Sequence, residues 1–307
     1  LMFLVTIGTI YDKENIKDYI INRFNCLKNQ GFDINYEENI IGDTKYISCL
    51  LNDNFLTTIF DKNLYKELSY HISELLADII INSYEEKIIK KLIKSKYFYL
   101  SDKEKKHMKN LVTQMLIEQD TGILQGGVNK ATRKNLIMRS ALEYLNLNST
   151  IVIDGFVNFR LKSYMDEVEE IIDNAFEVFV TEREYKEFIK LLKYFVDIQE
   201  SKLDIIHIKP TLDKNYILLD SDKEYVNNEY FDELKTEIMD GDINHDDILI
   251  STLITLAPKK LIIHDIERFK NKELIQTITN VFLDRVIICS GCDLCDIIKV
   301  DKELTKI

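Results

Sequence analysis

Apolar residues along this chain recur in two rhythms, one of period two and one of three to four residues, and the switches between them predict the elements. Phe3 to Ile7 is a short apolar run expected as a buried strand. From Lys13 to Asn29, Ile16, Ile20, Phe24 and Leu27 fall at helical spacing, and Gly31 stands where a left-handed C-terminal cap is wanted. Ile34 to Ile41 and Lys45 to Leu51 read as two strands about a Gly42-Asp43 hairpin turn. Lys45, Ile47, Cys49 and Leu51 share one face of the second strand, which makes Cys49 a small buried hydrophobe; Cys26 reads the same way on its helix. Leu64 to Lys94 carries one broad apolar stripe through Leu64, Leu68, Ile72, Leu75 and Ile79, a long helix. Ser101-Asp-Lys-Glu104 has the form of a capping box and opens another helix through Leu116. The first third therefore reads β-α-β-β-α-α.

Between Glu118 and Asn135 the periodicity is lost, and Gly122, Gly126 and Gly127 supply three of the nine glycines; this is the expected interdomain linker. Leu136 to Leu145 is a short helix and Thr150 to Ile153 is β-branched. From Met165 to Ile198 a 3.6-residue rhythm slips once, near Thr181 and Glu182, which fits two helices or one bent helix equally well. Beyond it, Ile205 to Lys209 and Tyr216 to Asp220 are strands around Pro210 and Asp213, and Tyr230 to Met239 is a helix. A further helix runs from Asp246 to Ala257 and is stopped by Pro258. Lys260 to His264, Glu273 to Phe282 and Arg285 to Cys289 then form a strand, a helix and a strand, short enough for a right-handed parallel crossover. The fold class is α/β, helix-dominated and mixed. It comprises an N-terminal β-α-β-β unit with long helices over 1–120, a linker with a short helix over 121–149, and a C-terminal helical core on a small mixed sheet over 150–307.

Composition narrows the setting. The 307 residues with 46% apolar content can fill two cores, and 9 Gly with 2 Pro argue against a sandwich or a disordered linker. A net charge of -12 repels phosphate backbones and anionic lipid at long range, so nucleic acid and membrane surfaces are disfavoured as partners of the whole molecule. The longest membrane-span candidate, Ile248 to Ala257, falls well short of the ~18 residues a span needs and contains Ser251, Thr252 and Thr255. Leu1-Met2-Phe3-Leu4-Val5 lacks a basic lead-in and a small-residue cleavage site, so no signal peptide is expected. Five cysteines, Cys26 and Cys49 isolated and three clustered, do not make a disulfide framework in a chain this long; a cytoplasmic location is expected.

That cluster, Cys289-Ser-Gly-Cys292-Asp-Leu-Cys295, is the sharpest chemical signal. Thiolates three positions apart can close on one ion, and Gly291 lets the loop turn its amides inward. If the strands at Lys260 to His264 and Arg285 to Cys289 are parallel neighbours, their carboxyl ends lie side by side. His264 or Asp265 would then reach the thiols as a fourth ligand, giving a Cys₃His zinc site or an iron–sulfur site on His264, Cys289, Cys292 and Cys295. Redox thiol chemistry and three inert reduced thiols on a surface turn are the alternatives.

Other motifs carry less. Asp240-Gly-Asp242-Ile-Asn244-His-Asp246-Asp247 has His245 where a calcium loop needs glycine and Ser251 where it needs glutamate, so it reads as an acidic turn feeding a helix N-terminus. The pairs His245-Asp246 and His264-Asp265 do not have the helix-borne ligands of a metal phosphohydrolase. Gly122 to Thr132 has no Gly-Lys-Ser/Thr ending and is not a P-loop; His71 and His107 stand alone within helices, and no Gly-x-Ser-x-Gly nucleophile motif occurs. The stretch Lys87, Lys90, Lys91, Lys94, Lys96, Lys103, Lys105, Lys106 and Lys109, with Tyr97, Phe98 and Tyr99, could face a nucleic acid or an acidic partner, but interspersed Glu85, Glu86, Asp102 and Glu104 favour a solvated face. Arg160 and Lys162 precede an acidic run, favouring intrahelical pairing.

Phe156-Val-Asn-Phe-Arg160-Leu-Lys162-Ser-Tyr164, followed by Glu184-Tyr-Lys-Glu-Phe-Ile-Lys-Leu-Leu-Lys-Tyr-Phe-Val-Asp-Ile-Gln-Glu200, resembles the central signature of the YtxC-like family of sporulation proteins. Ile205-Ile-His-Ile and Leu253 to His264 extend the likeness over roughly the second half of the chain. The resemblance implies a protein linked to endospore formation, with no catalytic residues to carry over. The expected function is that of a sporulation-associated, non-enzymatic interaction or regulatory protein with an unidentified protein partner. The alternatives are a zinc or iron–sulfur protein or enzyme built on the cysteine cluster, and a nucleic-acid-binding module on Lys87 to Lys109.

Overall fold

The computed structural model describes residues 2–10, 14–51, 61–123, 128–211, 215–226 and 245–296. They fall into two compact units, Leu1–Val180 and Thr181–Ile307.

In the first unit, β1 (Met2–Thr9) lies between β3 (Thr44–Leu51), antiparallel to it, and β4 (Thr150–Val152), parallel to it; β2 (Ile34–Ile41) pairs with β3 at the far edge. The β2–β3 hairpin turns at Gly42, whose φ of 60° is the left-handed backbone a tight hairpin demands. Gly8 is required for a different reason: a Cβ there would sit 2.8 Å from the Tyr46 ring. Helix α1 (Glu14–Asn29) buries Ile16, Ile20, Phe24 and Leu27, the stripe its spacing predicts.

The long helix expected over 64–94 is broken into α2 (Asp61–Ile79), a π-helical turn (Ile80–Tyr84) and α3 (Glu85–Lys96). A π turn shifts the side-chain phase, and its last residue, Tyr84, is buried with its hydroxyl 3.3 Å from Asp154 Oδ2. Helix α4 (Asp102–Asp120) starts with the capping box read from the sequence: Ser101 N donates to Glu104 Oε2 at 2.8 Å and Glu104 N to Ser101 Oγ at 3.4 Å.

Residues 130–135, expected as linker, join the short helix expected at Leu136 to Leu145. They form α5 (Lys130–Leu145), begun by the Asn129 cap and set in the first core by Ile137, Met138, Ala141 and Leu145. Helix α6 (Ile153–Arg160) follows β4, and α7 (Lys162–Ile198) is a single helix. The division between units thus falls inside α7, at Val180, and not over 121–149. The sequence slip at Thr181 and Glu182 has the same cause. Up to Phe179 the buried positions Val168, Ile171, Ile172 and Ala175 belong to the first core, whereas Ile189, Leu192 and Val196 serve the second.

The second unit holds a four-stranded sheet in the order β6 (Tyr216–Leu219), β5 (Ile205–Pro210), β7 (Lys260–Ile263), β8 (Val286–Ile288). β5 and β6 are antiparallel; β5, β7 and β8 are parallel, as expected for the last strand-helix-strand. Ile206, Ile208, Leu261 and Ile263 point from the sheet into a core shared with Leu249 and Leu253 of α8 (His245–Leu256) and with Leu274, Ile278, Val281 and Phe282 of α9 (Lys272–Phe282). The expected helix over 230–239, most of the acidic turn before His245, and Gly126-Gly127 lie outside the described residues. Among the described residues no helix is long and apolar enough to cross a membrane.

Candidate metal centre

The second sheet delivers four donor side chains to one place through its ladder. Alternation along β5 and β7 sends Ile206, Ile208, Leu261 and Ile263 to the core, so His207 and Lys209 project from the other face of β5. Beyond the strand ends the ladder continues: His264 N donates to Ile208 O at 2.9 Å, and Cys289 N donates to Ile263 O at 2.9 Å. These bonds hold His264 and Cys289 side by side at the carboxyl ends of β7 and β8, where open α/β sheets present their ligands. Gly291, at φ 122°, turns the chain back, and the short helix α10 (Asp293–Asp296) raises Cys295. Lys209 Nζ donates to Leu294 O at 2.6 Å and ties this turn to the sheet.

The result is a tight group. His264 Nδ1 lies 3.4 Å from Cys292 Sγ and 3.5 Å from Cys295 Sγ, and Cys295 Sγ is 3.8 Å from both Cys289 Sγ and Cys292 Sγ. All four donor atoms fall within 4.8 Å of one another. A tetrahedral ion with metal–sulfur bonds of about 2.3 Å and a metal–nitrogen bond of about 2.05 Å would set sulfur–sulfur edges near about 3.8 Å and sulfur–nitrogen edges near about 3.5 Å. The four measured edges match that figure. An iron–sulfur cluster spreads its four protein ligands over two or more irons, so that not all of them can lie as close together as the ligands of a single ion.

Electrostatics suit a cation. Desolvation and the neighbouring His207 hold His264 below the usual histidine range, leaving a neutral imidazole with a lone pair to give. Desolvation, then the charge of Lys223, does the same to His207. Desolvation also opposes ionisation of Cys292, but hydrogen bonds from the Cys289 thiol and the amides of Cys295 and Leu294 outweigh it and bring that thiol below its ordinary value. Cys295 is pushed up to about 11, by desolvation first and then by the adjoining Cys292 and Cys289. Three crowded sulfurs cannot all ionise alone; a bound divalent cation would deprotonate them outright.

Of the two residues expected as a fourth ligand, His264 joins the sulfurs and Asp265 does not. Asp265 has left-handed backbone, φ 49°, and offers its amide to Cys295. The sequence reading missed His207. Its signal was a histidine at an alternate position of Ile205 to Lys209, on the strand paired with the one carrying His264.

The other motifs resolve into structural roles. Asp246 sits in the first turn of α8 and accepts from the Tyr216 hydroxyl and, at 2.7 Å, from Asn271 Nδ2. In the basic stretch Lys109 and Lys90 pair with Glu86 at 2.6 and 2.9 Å, Lys96 with Asp173 at 2.7 Å, and Lys91 with Asn158 at 2.8 Å. Tyr97 is buried and stacks on Phe176, leaving Phe98 and Tyr99 as the exposed rings. His71 packs edge-on against Phe32, His107 lies near Phe179, and Arg160 stacks over Tyr144. Cys49 is buried, and desolvation pushes its thiol up to about 12.

Comparison with known proteins agrees with the signature read at Phe156 to Glu200. The model of the YtxC-like family matches residues 70–287, so the chain belongs to that family. The match takes in His207 and His264 and ends before Cys289. The chain is also similar to the uncharacterised protein YtxC of Bacillus subtilis strain 168, with 25% identity over 212 residues, 62% of this chain and 72% of the relative. No solved structure matches the chain.

Proposed function

We propose that this member of the YtxC-like family binds one zinc ion through Cys289, Cys292, Cys295 and His264 Nδ1, as a structural clasp at the carboxyl ends of β7 and β8. The observation that carries the reading is the four edges that join Cys295 and His264 to their neighbours, 3.8 Å between sulfurs and 3.4–3.5 Å from sulfur to nitrogen, with all four donor atoms within 4.8 Å. Thiolate-rich tetrahedral sites select zinc among abundant divalent ions, and four protein ligands leave no position open for water or substrate. A closed site favours a non-enzymatic protein. The reading therefore continues as an interaction or regulatory protein in endospore formation, the process the family resemblance implies, acting in the cytoplasm, where thiols stay reduced. Its partner is a protein as yet unidentified. The pairing of the Lys87 to Lys109 face with Glu86, Asp173 and Asn158 favours a solvated surface there over a nucleic-acid one.

Elemental analysis of protein purified under reducing conditions tests the metal. About one zinc per chain is expected in the wild type, with most of it lost in Cys292→Ser. Substoichiometric metal that is unchanged by Cys292→Ser would overturn the reading, and a sulfide-containing chromophore would replace zinc by an iron–sulfur centre.

A further inference from the structure

Strand β5 supplies no ligand, yet one of its side chains bears directly on the donor group. His264 presents Nδ1 to the sulfurs of Cys292 and Cys295, while its other nitrogen, Nε2, lies 2.9 Å from Nδ1 of His207. The two rings meet edge to edge, with centroids 5.1 Å apart and planes inclined by 29°. A histidine that gives Nδ1 to a metal carries its proton on Nε2. His264 is 2% exposed, so that proton has to find an acceptor inside the protein. His207 Nδ1 stands where the acceptor is needed, which assigns the His207 proton to its own Nε2. The backbone holds the pair in register, because His207 faces Ile262 across the parallel ladder and His264 N bonds to Ile208 O.

We propose that His207 is a positioning residue of the metal centre: by accepting from His264 Nε2–H it locks His264 in the tautomer and ring orientation that aim Nδ1 at the ion, and so sets the affinity. The inference rests on the zinc-clasp reading and assigns to β5 the part that outer hydrogen-bond partners play for metal-bound imidazoles. Loss of such a partner typically costs 10–100-fold in affinity. Phenylalanine at 207 would keep a ring of similar size and remove the acceptor, whereas asparagine would bring its Oδ1 to the position that His207 Nδ1 holds.

The test is competition titration of the full chain with Zn²⁺ against a chromophoric chelator under reducing conditions. It compares the wild type with His207→Phe and His207→Asn and observes the His264 Nε2 proton by ¹⁵N-resolved NMR. His207→Phe is expected to bind one ion per chain about 10–100-fold more weakly, with the Nε2 proton exchanging fast. His207→Asn is expected to recover most of the affinity and a slowly exchanging proton. Equal affinity in wild type and His207→Phe would overturn the inference and leave the clasp intact. Equal weakening in both variants, with no rescue by Asn, would reduce His207 to a packing residue and also overturn it. A wild type that takes up no Zn²⁺ would instead remove the clasp reading and the inference together.

Discussion

Each unit contains a pair of parallel strands whose carboxyl ends meet, β1 with β4 and β7 with β8, and the two ends are used differently. Beyond β1, Thr9 Oγ1 and the Tyr84 hydroxyl lie within 3.4 Å of each other, and Asp154 accepts from Tyr84 and from Ile10 N. That is a polar lock between backbone and side chains, closed by hydrogen bonds alone. Beyond β7 and β8 the same position gathers an imidazole and three thiols whose donor atoms lie within 4.8 Å of one another. The cores account for the contrast. The first unit buries long stripes from α1, α2, α4, α5 and α7 around its sheet, whereas the second surrounds its sheet with α8, α9 and the end of α7, and its edge strand leaves Ile287 and Ile288 45% and 51% exposed. A small core with a weakly buried edge gains most from a metal staple.

The largest expected effect follows from that difference. With the proposed zinc bound, stripping it with a chelator should remove about 4 kcal/mol of stability where free zinc stood a thousandfold above its dissociation constant. The loss should fall on β7, β8 and the turn carrying the cysteines. Hydrogen exchange read by mass spectrometry would report it as lost protection across 260–263 and 286–295, with β1, β3 and β4 unchanged. Uniform loss of protection in both sheets, or none in either, would erase the distinction between the two ends.

The counterpart in the first unit is a buried ionic cluster that needs no metal. Arg133, 1% exposed, donates to Glu85 at 3.0 Å, to Asp120 at 3.2 and 3.3 Å and to Val128 O at 2.9 Å, while Tyr164 donates to Glu85 at 2.9 Å. Removing one partner of a buried pair leaves the other charge stranded, at a cost of about 3–5 kcal/mol. Arg133→Met should therefore lower the unfolding free energy of the first unit by that amount, read as a lower denaturant midpoint, while leaving metal content unchanged. A loss below about 1 kcal/mol would mean that Glu85 and Asp120 find water without difficulty.

How far the sequence disclosed these two ends depends on whether the signal was local. Cys289, Cys292, Cys295 and His264 could be read because the thiols are close in the chain and because an apolar run, a helix and a second run imply a parallel pair. The hairpin at Gly42 and the start of α4 at Ser101 are local for the same reason. His207 was not legible, since its role exists only through pairing across 57 residues. The π turn at Ile80–Tyr84 escaped because it shifts the phase of an apolar stripe without interrupting it. The unit boundary was placed at glycines, whereas it lies within a continuous helix whose stripe changes core at Thr181. Arg133, a charged residue in a polar stretch, gave no hint of burial until Glu85, Asp120 and Tyr164 were brought around it from three other helices.

The smallest effect isolates what purely local chemistry contributes. Ser101 caps α4 by accepting from Glu104 N, and the Glu104 carboxylate receives both the Ser101 amide and, at 2.6 Å, the Ser101 hydroxyl. Ser101→Ala removes the acceptor and leaves the amides of the first turn to water, which costs about 1 kcal/mol. The residue is exposed, so no cavity or stranded charge adds to that figure. Chemical denaturation should show a shift of this size with an unchanged slope, and zinc content should not move. A shift as large as that of Arg133→Met would mean that the α4 terminus is coupled to the buried cluster through Asp120 at the helix's other end, so that the first unit too depends on a central fastening.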